Sequence, residues 1–367
     1  KLKLGTKQKL LWIKPDATGD FIIWSGSVLD QGSNFPKQKF EWHLLCDQSN
    51  VAFAEMLGFF DNIHPFSRSK FRINPFYRAK KIREIRKLES SITICPVYSR
   101  DILVTDSLVR ATASDHRIGW NGDFANCEFH SFRASDKWYT QLFTSKSDSL
   151  EAHEIFRHKE LAGFLGSSSN ELRPPNLKPI YDSFSSVKFL EKDYFIIFPG
   201  SGDIRRNWPA EKFAELGRML FEKFNYTCVI AGAQSDFEVS REVESLLKGV
   251  RLVNLSGKTN WKSLGKLIQG SKLVLSNDSG PAHLTFALSI PLLCFVGGGT
   301  HGRFFPYPKN PNDNSRDNLV VVSTYMPCFG CNWKCTEKFL PKVYPCVDSL
   351  NIPSIEVHID KLLSSHY

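Results

Sequence analysis

Ser276-Asn277-Asp278-Ser279-Gly280-Pro281-Ala282-His283 is the stretch whose reading decides the fold. Lys272-Leu273-Val274-Leu275 before it reads as a buried parallel strand, and Leu284-Thr285-Phe286-Ala287-Leu288 after it as a short helix. Ser279 suits an N-cap, and Pro281 suits the first helical turn, where its missing N–H leaves no bond unmade. Gly280 lets a ligand approach the backbone closely. The free amides of such a turn and the positive end of the helix dipole favour an anion, and phosphate is the expected one. Asp278 can accept hydrogen bonds from hydroxyls, and His283 can donate to an oxyanion. The same letters also fit an ordinary capped helix, so the surrounding chain has to decide.

Working outward, the second half alternates strands with helices. Tyr194–Phe198 is a strand ending in Pro199-Gly200-Ser201-Gly202, followed by Arg205-Arg206-Asn207-Trp208-Pro209. Residues 213–224 read as helix, 227–232 as strand, 236–247 as helix and 252–255 as strand, with Ser256-Gly257-Lys258-Thr259 following. A helix over 261–268 leads into the organising stretch, and Leu292–Val296 is expected as the last strand. The first half opens similarly. Leu10–Lys14 is a strand, Pro15-Asp16-Ala17-Thr18-Gly19-Asp20 a loop, and Phe21-Ile22-Ile23-Trp24 begins a helix. Further strands are expected at 41–46 and 92–96, and a helix over 51–58 stopped by Gly58. Residues 121–170 are polar and weakly patterned, and Leu172–Pro179 is a proline-rich linker. Alternation of this kind predicts two parallel α/β sheets, with ligands at the carboxyl ends of the strands. The opening loop holds no G-x-G-x-x-G, which counts against a nicotinamide oxidoreductase.

The 367 residues are enough for two domains, and no apolar run reaches the length of a membrane span. The basic start Lys1-Leu2-Lys3-Leu4 has no apolar region or cleavage site after it, so no signal peptide is expected. Buried-looking thiols such as Cys95, Cys228 and Cys294 suit a reducing cytoplasm. The formal net charge of +9 favours an anionic partner. Between His64 and Leu88 the chain carries nine Lys/Arg against the single acid Glu84, with Phe66, Phe71, Phe76 and Tyr77 interleaved. Such a one-signed run reads as an anion-binding surface, the alternative being a solvated helix face.

Assembled, the motifs resemble glycosyltransferase family 9, the ADP-heptose:lipopolysaccharide heptosyltransferases. Asn277–His283 looks like the donor motif and Phe198–Ser201 with Arg206–Pro209 like a second marker. Lys14–Asp20 and Arg117-Ile118-Gly119 look like two more. The resemblance implies a GT-B architecture of two Rossmann-like domains facing across a cleft. The acceptor domain would be 1–178 and the donor domain 179–352, with a helix at 353–367 crossing back to the first domain. It implies Asp20 as general base and Arg206 at the donor phosphates. Ser279 and Gly280 would give amides to the pyrophosphate, with Asp278 and His283 beside the donor, Thr259 at the adenine, and Asp236 or Glu238 at the ribose. Arg78, Lys80, Lys81 and Arg83 would face the acceptor. The function implied is transfer of a heptose from ADP-heptose to an anionic inner-core glycolipid, in the cytoplasm or at the cytoplasmic face of the inner membrane; a protein or other glycan is the alternative acceptor.

Glycosyl transfer from a nucleotide sugar needs a base, an in-line acceptor hydroxyl and a stabilised leaving diphosphate. The chain contains no Asp-x-Asp to hold a metal for the last task. Helix amides, Arg206 and His283 can supply the charge, so inverting transfer with no catalytic cofactor is expected. Cys328, Cys331, Cys335 and Cys346 form a separate group. Thiol density of this kind suggests a structural zinc or iron, the alternative being free thiols in a compact loop. Heptosyltransferases that modify autotransporter proteins with an iron-bound cysteine finger are loosely similar here. A nucleic-acid-binding protein with a metal knuckle would explain the charge and the cysteines but not the Ser279-Gly280 turn, so no nucleic-acid partner is expected.

Overall fold

The computed structural model describes residues 7–123, 125–126, 129–146, 152–185, 189–308, 318–336, 342–352 and 355–364. The chain divides into two units. One is Lys1–Ser149 with Glu154–Arg173, the other Leu150–His153 with Pro174–Tyr367. The main division, between Arg173 and Pro174, falls inside the proline-rich segment.

Each unit is built on one parallel sheet. In the first, β1 (Gln8–Lys14), β2 (Phe40–Asp47), β3 (Asn62–Phe66), β4 (Ile92–Ile94), β5 (His116–Trp120) and β6 (Gln141–Phe143) lie in the order β3-β2-β1-β4-β5-β6. In the second, β7 (Tyr194–Phe198), β8 (Thr227–Ile230), β9 (Leu252–Asn254), β10 (Leu273–Asn277), β11 (Leu292–Phe295) and β12 (Leu319–Val322) lie in the order β12-β11-β10-β7-β8-β9. Counted from its own first strand, each sheet has the doubly wound order 3-2-1-4-5-6. The winding reverses between β1 and β4, and between β7 and β10. At such a switch point the two outgoing loops part to opposite faces and leave a crevice at the strands' carboxyl ends.

Central strands covered on both faces carry continuous apolar runs, as β1 does at Leu10–Ile13 and β10 at Leu273–Leu275. Leu11 and Ile13 enter one core with Phe71, Ile85 and Leu108. On the opposite side of the sheet, as the period of two requires, Trp12 meets Trp24 at 5.8 Å and Trp42 at 5.9 Å between ring centroids. In the second unit Ile197, Leu275 and Phe295 share a core with Trp208 and Phe213, and Trp208 stacks on Phe295 at 3.9 Å.

Two features depart from the sequence expectations. The stretch 121–170 is more regular than its composition suggests, carrying the helices Phe129–Asp136 and Glu154–Phe164 and strand β6. Two edge strands also went unread. β3 contains Pro65, which an edge tolerates because one side of it donates to no neighbour. β12 lies beyond β11, pairing in parallel with it. The helix Glu356–Ser364 places Ile359, Leu362 and Leu363 in the second unit's core, and Lys223 binds Asp360 at 2.6 Å. Among the described residues no helix is long and apolar enough to cross a membrane.

Candidate active site

The second sheet's switch point is assembled by Asn277, the last residue of β10. Its buried side-chain amide donates to the Pro199 carbonyl at 2.8 Å and its Oδ1 accepts from the Trp208 N–H at 2.9 Å. The loop leaving β7 is thereby pinned to the end of β10. Removing this amide would orphan two backbone groups at about 1–3 kcal/mol each. Sequence reading quoted Asn277 in the motif but gave it no role. A strand-end Asn beside Asp278 is the signal that was available.

The pinned loop presents Arg206. Asp203 takes up the neighbouring Arg205, accepting from its Nη2 at 2.7 Å, which leaves Arg206 to lie over the Trp333 ring at 4.3 Å. Burial holds the Arg206 pKa below the usual guanidinium value, with Asp203 and Asp278 only partly offsetting it. Its Nε is buried and finds no partner among the described residues. A half-buried cation with an unmet donor is poised for an incoming anion.

The helix Gly280–Ala287 starts as expected with Pro281 in its first turn. Ser279 takes the extended N-cap conformation, yet its side chain caps no amide and its Oγ sits 3.2 Å from Ser276 Oγ. His283 is more enclosed than the sequence implied. It stacks on Phe305 at 4.4 Å, its Nδ1 is 3.0 Å from Tyr307 Oη, and its Nε2 faces Asp278 Oδ1 at 3.6 Å. Nδ1 thus has a protein partner, while Nε2 stands near Asp278 beyond hydrogen-bond distance. Asp236 follows β8, where its carboxylate accepts from the Ala233 N–H at 2.8 Å. A Cβ on Gly200 or Gly232 would collide with this side chain, so both positions need glycine. Glu238 is exposed in the first turn of the next helix, and Thr259 is half-buried after β9. All these residues follow the carboxyl ends of β7 to β10, so the parallel sheet brings them to one edge.

At the corresponding edge of the first sheet, Lys14 ends β1 with its side chain buried and its Nζ 2.6 Å from Asp16 Oδ2. Burial pushes the Lys14 pKa down, but Asp16, Asp20 and Glu154 outweigh it and the net direction is up. Asp20 lies in the first turn of the helix Thr18–Ser25. Buried Asn50 braces the loop, donating to the Asp16 carbonyl at 3.0 Å and accepting from Thr18 Oγ1 at 2.7 Å. Neither Lys14 nor Asn50 had been given a role. Lys14 is conspicuous only once its burial is known, because terminal lysines of strands usually reach solvent.

The four expected acceptor cations share the helix Pro75–Arg86 but not one direction. Arg78 is half-buried and donates to the Phe71 carbonyl at 3.3 Å; half-buried Lys81 pairs with Glu84 at 2.7 Å. Lys80 and Arg83 are exposed.

Cys328, Cys331, Cys335 and Cys346 do converge, lining one pocket with Gly298, Met326, Trp333 and Tyr344. Yet among the described residues no three His, Cys, Asp or Glu side chains stand close enough to hold a metal ion. Burial raises the Cys331 and Cys346 thiols, which favours their protonated forms. The geometry does not fit the expected zinc or iron. The loop acts instead as a buttress: Gly330 and Asn332 donate to the Gly298 and Gly299 carbonyls at 2.9 and 2.8 Å, and Trp333 supports Arg206.

The sequence is 30% identical over 137 residues to the lipopolysaccharide core heptosyltransferase OpsX of Haemophilus influenzae, covering 37% of each chain. It is 27% identical over 239 residues to lipopolysaccharide heptosyltransferase 2 of Escherichia coli, covering 60% of this chain and 65% of that one. These matches span less than two thirds of either relative. The fold is similar to the solved ADP-heptose lipopolysaccharide heptosyltransferase II of E. coli, with a TM-score of 0.66 at 17% identity over 98% and 99% of the two chains. The profile of glycosyltransferase family 9 (heptosyltransferase) matches residues 99–329. That span takes in β7 to β11, the Asn277 clamp, Arg206 and the Asp278 turn. The chain therefore belongs to glycosyltransferase family 9, the heptosyltransferase family.

Proposed function

We propose that the protein transfers a heptose from ADP-heptose to an inner-core saccharide of lipopolysaccharide, with inversion and with no catalytic metal. The observation that carries this reading is Arg206, a half-buried cation with an unmet donor at the switch point of the second sheet. Its charge suits a diphosphate, and the Ser279-Gly280 amides at the uncapped helix start add to it. Thr259 stands beside the adenine. Glu238 is the better ribose partner, because Asp236 is already engaged at the Ala233 amide.

In the step itself the acceptor hydroxyl oxygen bonds to the anomeric carbon from the face opposite the leaving group. The bond from that carbon to the diphosphate oxygen breaks, and ADP departs with its charge met by Arg206 and the amides. Asp20 takes the hydroxyl proton. Lys14, whose charged form is favoured by Asp16, Asp20 and Glu154, places a buried cation beside this loop. Asp16 is the weaker candidate because it is committed to Lys14 at 2.6 Å. Of the four expected cations, the half-buried Arg78 and Lys81 recognise the anionic acceptor, a glycolipid presented at the cytoplasmic face of the inner membrane.

Thermal-shift titration with ADP, UDP, GDP and CMP tests the donor assignment. A ligand at one hundred times its Kd adds roughly 2.7 kcal/mol of stability, so ADP is expected to raise Tm by several degrees and the others by much less. An equal response to all four, or none to ADP, rejects it.

A further inference from the structure

The basic segment has two faces, and only one is accounted for by the core. On the helix Pro75–Arg86, Tyr77, Ile82 and Ile85 turn inward against the first unit's core. Phe76, Lys80, Arg83 and Lys87 recur at intervals of four, three and four, which places them on the opposite face of the helix and its C-cap. All four are exposed. Phe76 is 87% exposed, and Ile73, at the end of the preceding short helix, is 81% exposed. Asn74 holds the corner between them rigidly: it ends one helix and caps the next, accepting from the Tyr77 N–H at 3.0 Å. Residues 72–76 form a continuous exposed run. The cations are not consumed locally either. Among the described residues Arg83, Arg86 and Lys87 make no ion pair, and Lys80 reaches Glu84 only at 4.0 Å.

We infer that this corner is a membrane-docking wedge for an anionic bilayer: Ile73 and Phe76 enter the interface, and Lys80, Arg83 and Lys87 lie along the lipid headgroups. Two large apolar side chains held in water beside a row of cations match the two layers of such a surface, apolar at depth and negative outside. A protein partner would more commonly be met by a larger apolar patch with a mixed-charge rim. The surface suits the proposed lipid-anchored acceptor and rests on that reading only for its biological purpose; docking itself requires neither donor nor acceptor.

The test is co-sedimentation of the full chain with phosphatidylglycerol-containing vesicles and with pure phosphatidylcholine vesicles, in the absence of nucleotide and saccharide. Wild type is expected to bind the anionic vesicles, weakly the zwitterionic ones, and to release as salt is raised. Ile73→Ser with Phe76→Ser should weaken partitioning at least about tenfold, with Tm unchanged because both side chains are exposed. Transfer to a soluble, lipid-free acceptor should be retained while transfer to vesicle-embedded acceptor falls. Equal binding to both vesicle types, or full binding by the double variant, overturns the proposal. So does a change from dimer to monomer in the double variant, which would make the corner a contact between copies. Because the vesicle assay contains no substrates, it keeps its meaning if the transferred sugar proves to be another.

Discussion

Replacing Arg206 by Met separates a functional cation from a structural one. Methionine keeps an unbranched chain against the Trp333 ring, which Arg206 covers at 4.3 Å, and removes only the charge and donors. If the guanidinium meets the departing diphosphate, about two charge-assisted hydrogen bonds of roughly 1.5–3 kcal/mol each are lost. Allowing for overlap, that is about 3–5 kcal/mol, or roughly 10²–10⁴ in kcat/KM. Stability should move the other way or not at all. Burial depresses the Arg206 pKa, so the fold disfavours the charged form throughout the neutral range and the empty site gains by losing it. Against this stands the cation–π contact, worth about 0.5–2 kcal/mol. The substrate-free Tm should therefore stay within a few degrees of wild type, and the ADP-induced rise in Tm should largely vanish. Steady-state kinetics with calorimetry checks both halves. Retained kcat/KM within about fivefold, or a fall in Tm that tracks the loss of activity, would refute the assignment.

Asp20→Asn should lower kcat by roughly 10²–10⁴ with little change in Tm, whereas Asp16→Asn strips buried Lys14 of its 2.6 Å partner and should chiefly lower Tm; the opposite pattern in paired kinetics and melting exchanges the two roles. Burial, helped by His43 and Lys81, holds His64 at about 4, below its ordinary 6.5, against the pull of Glu41. The unfolded chain therefore takes up that proton first, and stability contributed by neutral His64 is lost as pH falls from about 6.5 to about 4. The pH dependence of stability from urea melts across that window should flatten in His64→Gln, and an unchanged slope would exclude His64 as its source. Cys328, Cys331, Cys335 and Cys346 should titrate as reduced thiols in fresh protein, with no stoichiometric metal by elemental analysis. About one zinc or iron per chain, lost in Cys331→Ser, would show that the loop closes on an ion after all.

The sequence alone determined the two parallel sheets, because alternating apolar runs and glycine-bearing turns leave few other ways to bury both faces of each strand. It also identified the carboxyl-end turns at Asp20, Arg206 and Asp278, since position after a strand is a local property. Short edge strands escaped it: β3 contains a proline and β12 is only half-buried, so neither carries the continuous apolar signal of a covered strand. What each polar side chain does was decided by tertiary structure. Asn277 grips the loop leaving β7 at two points, 69 and 78 residues away, and no local pattern encodes partners at that distance. His283 reads as a donor to substrate until Phe305 stacks on its ring and Tyr307 takes up Nδ1. The nine cations between His64 and Leu88 read as one patch. Folding divides them: Arg68, Arg78 and Lys81 are half-buried and the others exposed, with Lys80, Arg83 and Lys87 in a row beside Phe76. The four cysteines share a pocket without meeting the geometry of a metal site, because their spacing in the chain sets proximity but the folded loop sets their distances.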